Sequence, residues 1–124
     1  MENNEEFKRK LISRAFIFAR KVIALVDKFP NKRSAWIIAD QLLRAATSIG
    51  ANIIEAQAAS SRRDFVNFLN HALKSGNETK FWLELAKDVS SNNNEEIDFL
   101  LKEVDELVKI LGSIVSTLRG KNKL

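Results

Sequence analysis

The sequence predicts an all-α protein, an up-down-up-down antiparallel four-helix bundle, on three observations. Four long segments repeat apolar residues at steps of three and four, the spacing that keeps side chains on one helical face. Short polar breaks separate these segments, so consecutive helices must fold back on one another. One proline and four glycines in 124 residues leave too little turn punctuation for a chain of strands.

The first helix, about residues 3–29, carries Leu11, Ala15, Phe18, Val22, Leu25 and Phe29 on one face. Pro30 closes it, because proline has no amide hydrogen and disfavours helical geometry in the residue before it. Asn31 is then placed to cap the second helix, about 32–59, whose seam is Ala35, Ile38, Leu42, Ala45, Ile49 and Ala56, with Asn52 intruding. The small residues of that seam permit close approach of a neighbour. Ser61 followed by Asp64 reads as a capping box with a shortened acid, and it opens a third helix, about 62–88. Phe65, Leu69, Ala72, Gly76, Leu83 and Ala86 form its seam.

After the polar run SSNNN, Asn93 and Glu96 read as cap and partner for the fourth helix, about 94–119. There Ile97, Leu100, Val104, Leu107, Leu111, Ile114 and Leu118 alternate steps of three and four without a break. A mean spacing close to 3.5 residues predicts near-antiparallel, bundle-type packing. Residues 1–124 read as a single domain, a length that supports one continuous core. Further apolar residues fall off the seams: Ile12, Phe16, Ile23, Trp82, Leu85, Leu101, Val108 and Val115. They fit either a broad core-facing stripe or an interface between subunits.

Composition narrows the chemistry. The chain has no cysteine, which excludes disulfides and thiolate metal sites and suits the cytoplasm. No apolar run approaches the roughly 20 residues of a membrane span, so a soluble, cytoplasmic protein without a membrane partner is expected. There is one histidine and no tyrosine, no Glu-x-x-His pair for a dinuclear centre and no glycine-rich phosphate loop. No catalytic residue, cofactor or metal is therefore assigned, and a non-enzyme is expected. His71 reads as a helix-face or network residue.

One stretch, QLLRAATSIGANIIEA at 41–56, sets Gln41, Arg44, Ser48, Asn52 and Glu55 on nearly one face of an otherwise apolar helix. In a hairpin turning near Ser60, Arg44 comes level with Glu78 of the third helix. Ser48 comes near Ala72 and Asn52 near Phe68, with Asn67, His71 and Ser75 as polar neighbours. The stripe is expected to satisfy itself across the hairpin as a buried structural network of Gln41, Arg44, Ser48, Asn52, Glu55, Ser75 and Glu78, fixing helix register.

The net charge of +4 favours a polyanionic partner. Up-down-up-down topology gathers Lys8, Arg9, Lys10, Arg62, Arg63, Arg119, Lys121 and Lys123 at one end, offset in part by Glu2, Glu5, Glu6 and Asp64. The N-termini of the first and third helices add unpaired amide donors there. No aromatic side chain interleaves this cluster as single-strand binders require, so backbone or shape recognition of structured RNA is the expected mode. Solvated charge at fraying termini is the alternative.

Gln41, Arg44, Ser48, then Asn52, Ile53 and Glu55, with Ser75 and Glu78 later, resemble the motif of bacterial four-helix-bundle proteins encoded in intervening sequences of large-subunit ribosomal RNA genes. The likeness runs from FPNKRSAW through LVKILGSIVSTLRGK. Ala56 stands where that family commonly has glycine, and Lys80 where a second acidic residue is common. The resemblance implies a homo-oligomeric ring, usually of five subunits. It also implies kinship with accessory proteins of diversity-generating retroelements, which bind a reverse transcriptase and nucleic acid. Two functions follow as expectations. The first is a non-enzymatic, ring-forming bundle that binds structured RNA or a ribonucleoprotein through its basic end. The second is an oligomeric scaffold or adaptor for a protein partner such as a reverse transcriptase.

Overall fold

The computed structural model of the chain describes residues 3–121. Among these, the elements are α1 (Asn4–Val26), α2 (Arg33–Gln57), α3 (Arg62–Val89), a 3-10 turn at Ser91–Asn93, and α4 (Asn94–Lys121), with no strand. Side-chain pairs fix the directions. Ser48 meets Ser75 and Arg44 meets Glu78 between α2 and α3, while Lys80–Asp105 and Lys87–Asp98 join α3 to α4. Arg14–Glu103 and, just past the end of α1, Lys28–Glu96 close the circuit to α4. In every pair a rise along one helix is a descent along the other, so the fold is an up-down-up-down antiparallel four-helix bundle.

The helix starts are set by local chemistry. Asn3 caps α1, its Oδ1 accepting from the Glu6 amide at 2.8 Å, and Glu5 and Glu6 in the first turn suit the positive end of the helix dipole. Ser61 caps α3 by accepting from the Asp64 amide at 3.1 Å. The Asp64 carboxylate does not complete a reciprocal box; it accepts from the Ser60 hydroxyl at 2.8 Å, one residue upstream. Two expected caps are corrected. Lys32, not Asn31, occupies the N-cap position of α2 and makes no side-chain cap bond, because the turn at Pro30, closed by the Lys32 amide donating to the Pro30 carbonyl at 3.0 Å, uses one more residue. Asn93 lies in the 3-10 turn, where its amide donates to Ser90 Oγ at 2.6 Å.

The core is one continuous cluster. Phe18, Val22 and Leu25 from α1 pack with Leu42, Ile49 and Ile53 from α2, Leu69 and Leu83 from α3, and Ile97, Val104, Leu107 and Leu111 from α4. It is wider than a two-position seam, as globular helices require. Ile53, Val66 and Val115 are buried, whereas Phe29, Ile38, Phe65, Ile114 and Leu118 are only partly so. Two glycines let helices close up: a Cβ at Gly50 would meet Ala15 Cβ at 3.4 Å, and one at Gly76 would lie 2.6 Å from Val108 Cγ2. Ala56 packs in the core where a glycine was the family expectation.

The apolar residues off the seams divide. Val115 is buried and Ile12, Trp82, Leu101 and Val108 pack partly against the core, but Phe16 and Ile23 stay exposed. With Trp36 and Ile54 of α2 they make an uncovered apolar face, indented by a groove of about 390 Å³ between α1 and α2.

Candidate nucleic-acid interface

One end of the bundle is defined by a cleft whose walls come from all four helices: Phe7 and Lys8 of α1, Gln57 of α2, Phe65 of α3 and Leu118 of α4 among them. The starts of α1 and α3 and the end of α4 therefore share this end, which brings Lys8, Arg9, Lys10, Arg62, Arg63 and Arg119 together there. Lys121 is the last residue of α4. Lys123 lies outside the described residues, as does Glu2. Arg9, Arg62, Arg63 and Arg119 are exposed. Lys8 makes a loose pair with Glu5 at 3.6 Å.

The opposite end handles charge differently. There Lys28 meets Glu96 at 2.5 Å, and Lys87 meets Asp98 at 2.9 Å and Glu84 at 3.7 Å. The Asp98 carboxylate, by accepting from Lys87, raises that ammonium above its ordinary value. Along the side of the bundle Lys80, the family departure, reaches Asp105 at 2.8 Å, and Lys109 shares the same carboxylate at 3.0 Å. Both lysines hold Asp105 below its ordinary value, Lys80 more strongly. At the basic end Arg9, Arg62, Arg63 and Arg119 face solvent, as Lys32 and Arg33 do at the other.

The structure brings most of the polar stripe together, at the surface. Arg44 donates to Gln41 Oε1 from Nε at 3.3 Å and from Nη2 at 3.0 Å, and Nη2 also reaches Glu78. Glu78 accepts in addition from the Trp82 indole at 2.8 Å. A second group sits one turn on: Ser75 donates to Ser48 Oγ at 2.9 Å, and the Asn52 amide donates to Ser48 Oγ at 3.0 Å and to its carbonyl at 2.9 Å.

Three expectations are corrected. The Arg44 side chain is 57% exposed and that of Glu78 38%, so the pair is not buried. Asn52 bonds within its own helix rather than reaching across to α3, because its amide spans one helical turn. Glu55 is exposed and joins no hydrogen bond with the others, and His71 and Asn67 likewise face outward on α3. Trp82 was not foreseen as a member; its place four residues after Glu78 on one helix face was the available signal.

Glu78 is held below its ordinary value first by the Trp82 hydrogen bond and then by Arg44, with partial burial opposing. A depressed carboxylate contributes stability above its unfolded-state value and loses it as pH falls through the folded-state one. Glu78→Gln is therefore expected to lower stability by about 1 kcal/mol or less at pH 7, as for other exposed pairs. The difference from wild type should narrow as the pH is lowered, measured as urea midpoints at pH 7 and pH 3. A loss of about 3 kcal/mol or more at pH 7 would instead mark a pair desolvated on assembly.

Phe7 and Phe65 were missed at the basic end. Phe7 directly precedes Lys8–Lys10 and Phe65 follows Arg62–Asp64, so aromatic residues do interleave the cluster. Phe7 lies four residues before Leu11 and so continues the seam of α1, but it was not named as part of that seam. Among the described residues no three His, Asp or Glu side chains come together as a metal-binding group. The arrangement is suited to holding anions and flat apolar groups.

The model of the 23S rRNA-intervening sequence protein family matches residues 8–113. Among solved structures, the chain is similar to a protein of unknown function from the S23 ribosomal protein family of Bacteroides thetaiotaomicron VPI-5482. That likeness has a TM-score of 0.77 and 38% identity, covering 85% of this chain and 97% of that one. No curated protein matches. The family match spans the polar stripe and the helix hairpin that carries it, and takes in Lys8, Arg9, Lys10, Arg62 and Arg63 but not Arg119 or Lys121; the chain belongs to the 23S rRNA-intervening sequence protein family.

Proposed function

We propose that the protein is a non-enzymatic bundle that assembles into a ring, of five subunits by family resemblance, and binds structured RNA or a ribonucleoprotein through its basic end. The observation that carries this reading is the gathering of exposed cations, Arg9, Arg62, Arg63 and Arg119, at the end where α1 and α3 begin and α4 finishes. Those helix starts add amide donors suited to phosphate. Repetition around a ring multiplies a modest patch into a polyanion surface, since each further contact becomes intramolecular.

Self-association is supported by the uncovered α1/α2 face, where Phe16, Ile23, Trp36 and Ile54 are all exposed. Burying such side chains is worth about 1.5–3 kcal/mol each. Phe16→Glu with Ile54→Glu is expected to reduce a sedimenting ring to monomer while leaving the helical signal intact. Wild-type protein found only as monomer at micromolar concentration would contradict the ring. The same face supports the second reading, an adaptor for a protein partner such as a reverse transcriptase. Purification from lysate separates the two. A high 260-to-280 nm ratio that falls with nuclease supports RNA, whereas a copurifying polypeptide that survives reversal of Arg62 and Arg63 to glutamate supports the adaptor. Among the described residues no helix is long and apolar enough to cross a membrane.

A further inference from the structure

We propose that the cleft at the basic end takes an unpaired nucleobase, so that the protein engages loops, bulges or ends of an RNA through their bases as well as their phosphates. The proposal rests on the RNA reading above and deepens it. The cleft encloses about 410 Å³, with an apolar floor of Leu11, Ile53, Leu69 and Leu118. Phe7 and Phe65 stand in its wall, and Phe7 is 39% exposed. A half-exposed phenyl ring beside cations is a stacking platform: a base laid on it removes two apolar faces from water, and every base has such a face.

The polar groups around the slot suit the rest of a nucleotide. Gln57 is steadied by donating from Nε2 to the Ile53 carbonyl at 2.9 Å, which leaves Oε1 as an acceptor for an exocyclic amine. The Asn4 side-chain amide, also in the wall, offers both a donor and an acceptor. Lys8 is held only loosely by Glu5, so its ammonium is available to a phosphate. Glu5 also stands in the wall, beside Lys8, as a carboxylate acceptor for a base amine. An aromatic ring with amide and charged side chains around an apolar slot is the kind of set by which proteins hold splayed-out bases of single-stranded RNA. The α1/α2 groove lacks this set. Its lining is aliphatic and aromatic with Thr47 and Arg20, and it holds no amide side chain.

The test uses two labelled RNA hairpins of equal length and charge, one with an ordinary loop and one whose loop residues are abasic. Affinity is read by fluorescence anisotropy at low salt for the wild type, Phe7→Ala and Phe7→Trp, with thermal melts confirming that each variant folds. The wild type is expected to bind the ordinary loop about 5- to 150-fold more tightly, the range that stacking of a base on an aromatic ring provides. Phe7→Ala should bring that affinity down to the abasic level and leave abasic binding unchanged, while Phe7→Trp keeps the preference. Equal wild-type affinity for the two hairpins overturns base capture and leaves phosphate binding standing. Equal weakening of both by Phe7→Ala overturns the role of the ring. Failure to bind either hairpin overturns this proposal together with the RNA reading.

Discussion

Substituting Gly76 by valine is expected to destabilise the bundle by about 3 kcal/mol or more, a large share of the 5–15 kcal/mol that holds a domain of this size together. Gly76 is buried on α3 facing α4, and a Cβ there would come within 2.6 Å of Val108 Cγ2, with Ile49 Cδ1 and Val104 Cγ2 at 3.9 Å behind it. Val108 has little freedom to turn away, since a β-branched side chain in a helix has one strongly preferred rotamer. The helices must then part, and the loss is shared along a packed interface. Alanine provides the finer comparison. Its gain of about 1 kcal/mol in helix propensity is opposed by an overpacking cost of about 1–3 kcal/mol, so Gly76→Ala is expected to be destabilising on balance. Combined with Val108→Ala, the clash disappears. The double variant should lose clearly less than the sum of the two single losses, measured as urea midpoints in a double-mutant cycle. Additive losses would mean that α3 and α4 are not in contact at this point.

Reversing Arg62 and Arg63 to glutamate is expected to weaken binding of structured RNA on the order of a hundredfold at low salt. Both residues lie in the first turn of α3, exposed, and their only acidic neighbour in that turn, Asp64, is engaged by the Ser60 hydroxyl. Each lost phosphate contact should reduce the dependence of log affinity on log salt by about one. The substitution also removes two positive charges and places two negative ones, a net change of about four charges, across the path of the RNA backbone. The fold should not respond, because neither side chain packs in the core. Thermal melts within a degree or two of the wild type, beside the lost affinity, would separate a binding defect from a folding one.

The fold could be read from the sequence because burial leaves a periodic trace. The seam of α4, from Ile97 to Leu111, is buried in register with its spacing, and the Arg44–Glu78 match followed from equal distances to one turn. What the pattern did not carry was how far each helix rotates about its own axis. That rotation sets Arg44 and Glu78 at the rim of the α2/α3 contact instead of inside it, and leaves Phe16 and Ile23 facing outward while Val115 turns in. Local turn chemistry was the other blind spot. The Pro30 turn consumed Asn31, and the 3-10 turn engaged Asn93 with Ser90, because short side chains have several nearby backbone and hydroxyl partners to choose among.

The basic end shows the same division. Topology alone assigns Lys8, Arg62 and Arg119 to one end, since alternating helices return there. The cleft between them depends on four helix ends meeting with a gap, which no single segment encodes. Phe7 belongs to the site only because that gap exists. On one helix considered alone it continues the seam, four residues before Leu11.

The central claim is that the exposed positive charge at this end binds RNA, and it is tested most directly by the wild-type affinity for a labelled structured RNA across a salt series. The account predicts binding at low salt that falls steeply and log-linearly with added salt, with a slope of several phosphate contacts. No binding even at low salt would contradict it, and would leave the cations at this end as solvated charge.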